Sequence, residues 1–295
     1  LCKKLKISIL LNEKTKSKFF INKKIVIISI KKIFQIKKKK YSYLTQKKLK
    51  KIINKYEYVW IDNFADLSKL NNKIFLYYNF LWHKDLKLNH KKFINLDKEI
   101  NKNISFGNYL FQKKYYKNQK SKLIPFFEKF KPYKNRKGVL IALGTSDYKD
   151  TVLIKKALIK YLKKKYIKNI KFYIDPKIFD NDFKKMGFVK ADFSKKMYKE
   201  IKFAIIKPGL GTIEECLKRG IIIISYTKNT YSEFFHNSKI LIKNKLGYNF
   251  QTIEKSLNFI VKNLNNIKLV KQHENNCKNL KWEGEKKVQK YLLKN

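Results

Sequence analysis

The segment richest in chemical promise runs Lys207-Pro-Gly-Leu-Gly-Thr-Ile-Glu-Glu-Cys-Leu-Lys-Arg-Gly220. Gly209 and Gly211 let backbone N–H groups approach a ligand closely. The helix expected to follow carries roughly half a positive charge at its N-terminus, so phosphate is the natural guest. The same spacing also reads as a capping box, Thr-x-x-Glu, in which Thr212 caps the helix and Glu215 closes the box. A second loop of this kind, Leu143-Gly144-Thr145-Ser146-Asp147, follows a strand-like run and supplies a flexible glycine and two hydroxyl donors. Ser and Thr ahead of a helix also serve as plain N-caps. A third segment, Tyr231-Ser-Glu-Phe-Phe-His-Asn-Ser238, carries Glu233 and Asn237, and its bland reading is an amphipathic helix that packs Phe234, Phe235 and Leu241.

Acid–base candidates in the first half are few. His83, beside Trp82, and Asp62, at the end of the strand-like run Trp60-Ile-Asp-Asn-Phe64, are the two candidates for catalysis, and an exposed or structural role for His83 stands beside that of a base. Cys2, Cys216 and Cys277 are odd in number, far apart and without a C-x-x-C pairing, which suggests neither a disulfide framework nor a zinc site. A reduced, cytoplasmic compartment is expected, with no cofactor and no metal site.

These segments need elements to hold them. In the second half, Gly138-Val-Leu-Ile-Ala-Leu143 reads as a buried strand. Ile154, Ala157, Leu158, Tyr161 and Leu162 then form one apolar helical stripe, with Lys155, Lys156, Lys160 and Lys163 facing away. Further strands are expected at 169–174, 203–206 and 221–226, with a short helix at 212–219 between the last two. This alternation predicts a doubly wound parallel sheet covered on both faces. The first half also reads as α/β, with strands near 6–11, 25–30, 58–61 and 74–78 and a helix at 45–56 built on Leu49, Ile52 and Ile53. Eight of the nine glycines lie at or after Gly138. We therefore place a boundary near 120–137 and a polar linker at 131–137, giving domains 1–130 and 138–295.

Composition bounds the function without assigning it. With 44% hydrophobic residues and 295 residues in all, the chain can build two ordinary cores. Lys+Arg 71 against Asp+Glu 22 gives +49, which attracts polyanions. The lysines are spread along the whole chain, as compositional drift would leave them, and none of the named nucleic-acid-binding signatures is present, so nucleic acid is not the expected partner. A peripheral contact with anionic membrane is a further expectation from the charge. No apolar run reaches the ~18 residues of a membrane span, and residues 7–11 are too short for a signal-peptide core.

Taken in this order, the three segments of the second half resemble the peptidoglycan N-acetylglucosaminyltransferase family and its GT-B relatives. The resemblance covers roughly residues 138–265. In that family a Gly-Gly-Ser or Gly-Thr-Ser loop holds the donor's pyrophosphate, and Gly144, Thr145 and Ser146 stand in its place. An Arg/Lys-x-Gly-x-x-Thr-x-x-Glu helix start is matched by Lys207, Gly209, Thr212 and Glu215, with Gly211 between them, and the resemblance implies that Glu215 accepts the ribose hydroxyls of UDP. The family's Gln-rich sugar-reading segment becomes Glu233 to Ser238, with Phe234 where a Gln stands and Asn237 retained. The Gly-rich loop and His base that open such enzymes have no counterpart after Leu11. The resemblance thus implies two Rossmann-like domains and transfer of a sugar from a UDP-sugar to an acceptor, lipid-linked or glycan, without a metal. A UDP-sugar hydrolase of the same fold and a basic nucleic-acid-binding protein are the alternatives.

Overall fold

The computed structural model describes residues 8–11, 26–29, 36–37, 40–41, 58–62, 74–78, 104–111, 121–143, 148–164, 170–227 and 232–292. The strands of the first half are β1 (Ser8–Leu11), β2 (Val26–Ser29), β3 (Ile36–Lys37), β4 (Lys40–Tyr41), β5 (Tyr58–Asp62), β6 (Ile74–Tyr78), β7 (Ile104–Asn108) and β8 (Ser121–Ile124). β1 pairs with β2 in parallel, and β5-β6-β7-β8 form a parallel sheet in chain order. Parallel neighbours require crossovers, which fits the α/β expectation for this half. The helix expected at 45–56 lies outside the described residues. β7 and β8 escaped the sequence reading because Gly107, Asn108, Ser121 and Lys122 interrupt any apolar run.

The second half follows the order β9 (Gly138–Ala142), α1 (Tyr148–Lys164), β10 (Phe172–Ile174), α2 (Asn181–Lys185), β11 (Val189–Lys190), α3 (Lys195–Glu200), β12 (Ile201–Ile206), α4 (Leu210–Leu217), β13 (Ile222–Ser225), α5 (Ser232–Lys243), β14 (Gly247–Asn249), α6 (Ile253–Asn263), α7 (Ile267–Lys278) and α8 (Gly284–Leu292). Its six strands are all parallel in the order β11-β10-β9-β12-β13-β14. This is the doubly wound arrangement expected from the strand–helix alternation.

Strand alternation divides the core into two layers. Val139, Ile141, Phe203, Ile205, Ile222 and Ile224 pack with Leu158 of α1, Phe183 of α2 and Leu257 and Ile260 of α6. Leu140, Ala204, Ile206 and Ile223 face the other way, against Met197 of α3, Ile213 and Leu217 of α4 and Leu241 of α5. Each such side chain larger than alanine contributes about 1.5–3 kcal/mol by burial. Burial on both faces is why these strands read as unbroken apolar runs. Asp180, Ser194, Thr252 and Asn266 cap α2, α3, α6 and α7 through their side chains. One detail departs from the expected stripe of α1: Leu158, Tyr161 and Leu162 are buried, whereas Ala157 is exposed. A lone methyl loses little at the rim of the buried arc.

The expected polar linker is bound rather than loose. Phe126 is 1% exposed and lies edge-on to Phe111 and against Trp282. Lys131 N donates to Lys218 O at 2.6 Å. Arg136, 7% exposed, donates to Arg219 O at 2.8 Å and pairs with Glu274 at 2.6 Å. The chain then returns. Gly284 N donates to Phe126 O at 2.7 Å, and Lys287 Nζ of α8 donates to Leu123 O of β8 at 3.1 Å. No helix among the described residues is long and apolar enough to cross a membrane.

Candidate functional site

The order of the sheet picks out one place. From β9 the chain winds outward through β10 to β11, then crosses back to lay β12 on the other side of β9. In open parallel sheets a ligand crevice lies outside the carboxyl ends of the strands at such a reversal. β9 and β12 are in parallel register, Ala142 opposite Ile206, so Leu143 and Lys207 leave the sheet at the same edge. Gly144, Thr145 and Ser146 follow Leu143 and lie outside the described residues, as does His83. Asp62 is the last residue of β5, opposite Tyr78 of β6.

The turn after β12 is short and well held. Lys207 N donates to Ala142 O at 3.4 Å, and Gly209 N donates to Lys207 O at 2.8 Å. Gly209 is the N-cap of α4, with φ −74° and ψ 144°, and gives no side-chain cap. The capping-box expectation is therefore corrected: Thr212 is the third residue of α4, one turn too late to cap it. The amides of Leu210, Gly211 and Thr212 are those for which a helix provides no acceptor of its own. Neither glycine of the turn is demanded by crowding within the chain. A Cβ on Gly209 would meet the Phe234 ring at an ordinary 3.5 Å, and one on Gly211 would meet nothing within 4 Å.

Glu215, in the second turn of α4, is half-buried. Its carboxylate receives Lys218 Nζ on one oxygen and Arg219 Nη1 on the other. Lys218, its side chain 6% exposed, is shared with Glu128, and the Arg219 guanidinium lies over the Tyr198 ring at 4.5 Å. Burial pushes the Tyr198 hydroxyl far above its usual range. Beside Glu215, Glu214 accepts Phe127 N at 2.6 Å and Glu128 N at 3.3 Å. Burial raises the Glu214 carboxyl, and these two N–H donors oppose the shift.

α5 closes the site from the other side. Glu233 lies in its first turn, half-buried, and burial raises its carboxyl above the usual range. Phe234 leans on Gly209, Leu241 is buried, and Phe235 is 46% exposed, so the expected packing of both rings holds for Phe234 alone. Asn237, 2% exposed, donates Nδ2 to Pro208 O at 2.9 Å. His236 donates Nε2 to Phe111 O at 2.8 Å, which ties α5 to the turn after β7. Sequence reasoning overlooked Glu214, Lys218 and His236. For Glu214 the signal was a second carboxylate inside the motif, whereas Glu128, the second partner of Lys218, and Phe111, the partner of His236, lie more than 80 residues away.

No protein-family model and no curated protein matches the sequence. Solved structures do match in shape. MurG of Acinetobacter baumannii aligns at TM-score 0.60 and 12% identity, over 92% of this chain and 86% of that one. Arabidopsis thaliana UGT89C1 complexed with UDP aligns at TM-score 0.64 and 10% identity, over 99% and 92%. The glycosyltransferase SsfS6 of Streptomyces sp. SF2575, complexed with thymidine diphosphate, aligns at TM-score 0.53 and 9% identity, over 85% and 73%. The fold is GT-B. Among eight of the matched structures the chain spans from 50% to 92% of the solved chain. The likeness in shape shows the GT-B architecture, consistent with two Rossmann-like domains, and at identities this low it shows the fold alone.

Proposed function

We propose that this GT-B chain is a glycosyltransferase that takes a sugar from a UDP-sugar donor, related in its motifs to the peptidoglycan N-acetylglucosaminyltransferases. Residues 138–295 form the donor domain and residues 1–130 the acceptor domain. Gly144, Thr145, Ser146, Gly209, Gly211 and Thr212 receive the diphosphate, Glu215 the ribose, and Glu233 lines the sugar side, while Asn237, expected to join it there, is buried and bonded to the Pro208 carbonyl. Backbone N–H groups and nearby lysines stabilise the leaving diphosphate without a metal ion. The proposed setting is cytoplasmic. Fold neighbours whose structures contain UDP or thymidine diphosphate support a nucleotide donor.

One observation carries the reading. Gly209 stands at the carboxyl end of β12, at the reversal of the sheet, with ordinary backbone angles and room for a methyl group. Glycine is one of several residues that suit a helix N-cap, and a phosphate drawn against the α4 N-terminus favours it over the Ser, Thr, Asp or Asn that would supply a side-chain cap. Gly209→Ala is the test. Its melting temperature should fall only modestly, because Ala tolerates these angles but is a poorer N-cap than Gly, while UDP affinity measured by isothermal titration should fall by about tenfold or more. Equal UDP affinity in the two proteins, or no UDP binding by the wild type, would refute the proposal.

A further inference from the structure

Asn237 has a task other than meeting a sugar. Its side chain is almost wholly buried, and the amide donates to the carbonyl of Pro208 at 2.9 Å. Burying an amide is unfavourable unless it is hydrogen-bonded, so this contact fixes the side chain in one orientation. Pro208 has no N–H, which leaves its carbonyl as the handle by which a neighbour can hold the middle of the turn. That carbonyl shares one rigid peptide plane with the N–H of Gly209, so fixing the carbonyl aims the residue from which α4 starts. The next residue of α5 secures the helix itself. Ser238 is fully buried and bonds Ser225 Oγ at 2.7 Å, and Ser225 Oγ donates in turn to Tyr248 O at 2.8 Å. Two consecutive polar residues of α5 thus bind different partners, Ser238 the end of β13 and Asn237 the turn after β12.

We infer that Asn237 is a positioning residue, which holds the Pro208–Gly209 peptide so that the first-turn amides of α4 stay aimed at the diphosphate of a nucleotide donor. The role rests on the donor-site reading above. It separates Asn237 from Ser238, whose bonds anchor α5 without touching the turn.

The test compares Asn237→Asp with Ser238→Ala in the full chain. Asp keeps the size of Asn but sets an acceptor against the Pro208 carbonyl. UDP and uridine are titrated in parallel, by calorimetry and ligand-observed NMR, and melting temperatures are recorded. In Asn237→Asp, UDP affinity should fall by about tenfold or more while uridine affinity changes by less than about threefold. In Ser238→Ala the ratio of the two affinities should match the wild type even where the melting temperature drops. If Asn237→Asp lowers both affinities equally, or neither, the residue is structural only and the inference is overturned. Should Asn237→Asp fail to fold, Asn237→Ser, which keeps a shorter donor, replaces it in the same comparison. Absence of UDP binding to the wild type overturns the donor-site reading, and this role with it.

Discussion

Glu215 shows how a residue can be read correctly for spacing and incorrectly for partners. The capping box required its carboxylate to reach back toward the start of α4. Instead it reaches forward, to Lys218 and Arg219, because α4 begins three residues earlier than a Thr212 cap allows. The two cations make a different contrast testable. In Glu215→Gln, Lys218 keeps Glu128 and Arg219 keeps its place over Tyr198, and the lost carboxylate is more than a third exposed. The change should therefore cost about 1 kcal/mol or less of stability. If the carboxylate also accepts two ribose hydroxyls, UDP affinity should fall by roughly 1.5–3 kcal/mol, at least about tenfold. Thermal melting and UDP titration on the same two proteins separate the roles. Unchanged affinity would leave Glu215 as a tether for the two cations.

At the scale of elements, legibility followed burial. β9, β12 and β13 were evident because sheets covered on both faces demand unbroken apolar strands, and α1 because one side of it faces a core. β11 and β14 were not evident. They are edge strands of two and three residues, Val189–Lys190 and Gly247–Asn249, too short to show a period. The candidate site rests in the sequence on two glycine-bearing segments and a Thr-x-x-Glu, since local spacing is written in the chain, and of the two segments the one at 144–147 lies outside the described residues. The clasp of Asn237 on Pro208 joins residues 29 apart and has no local signature. Nor has the seat of α8. A Cβ on Gly284 would stand 2.3 Å from Pro125 O and 3.0 Å from its carbon, both backbone atoms that cannot swing aside. Gly284→Ala should destabilise the protein by about 1–3 kcal/mol through overpacking, although Ala is the better helix former. Chemical denaturation of the purified variant gives the figure, and a neutral result would mean that α8 does not sit this tightly.

For the molecule as a whole, acid is the informative variable. His273 of α7 is 4% exposed and bonds the Ile221 carbonyl at 3.0 Å. Burial lowers its pKa from 6.5 to about 4, with the Ile221 hydrogen bond opposing and the charge of Arg136 assisting. The folded state therefore binds fewer protons than the unfolded state between these two values. The contribution of His273 is complete above pH 6.5 and is lost as pH falls toward 4, by roughly 3 kcal/mol in total. Carboxylates titrate in the same window, so the readout is the difference between wild type and His273→Gln. Their stabilities should converge as pH falls from 7 to 4, with the wild type losing more. Parallel pH profiles would show that the ring is not held neutral in the folded state.

The return of α8 to β8 also sets a timetable. Leu123 and Lys287 meet across 164 residues of chain. A ribosome adding about 5–20 residues per second delivers the second partner roughly 10–30 s after the first. The carboxyl-terminal domain is synthesised during that interval, and it can wind its own six strands while β8 still lacks its cover. β8 therefore waits for residues 284–292 to be made. A ribosome stalled before Gly284 would leave β8 without α8, the kind of strand that chaperones hold and proteases sample.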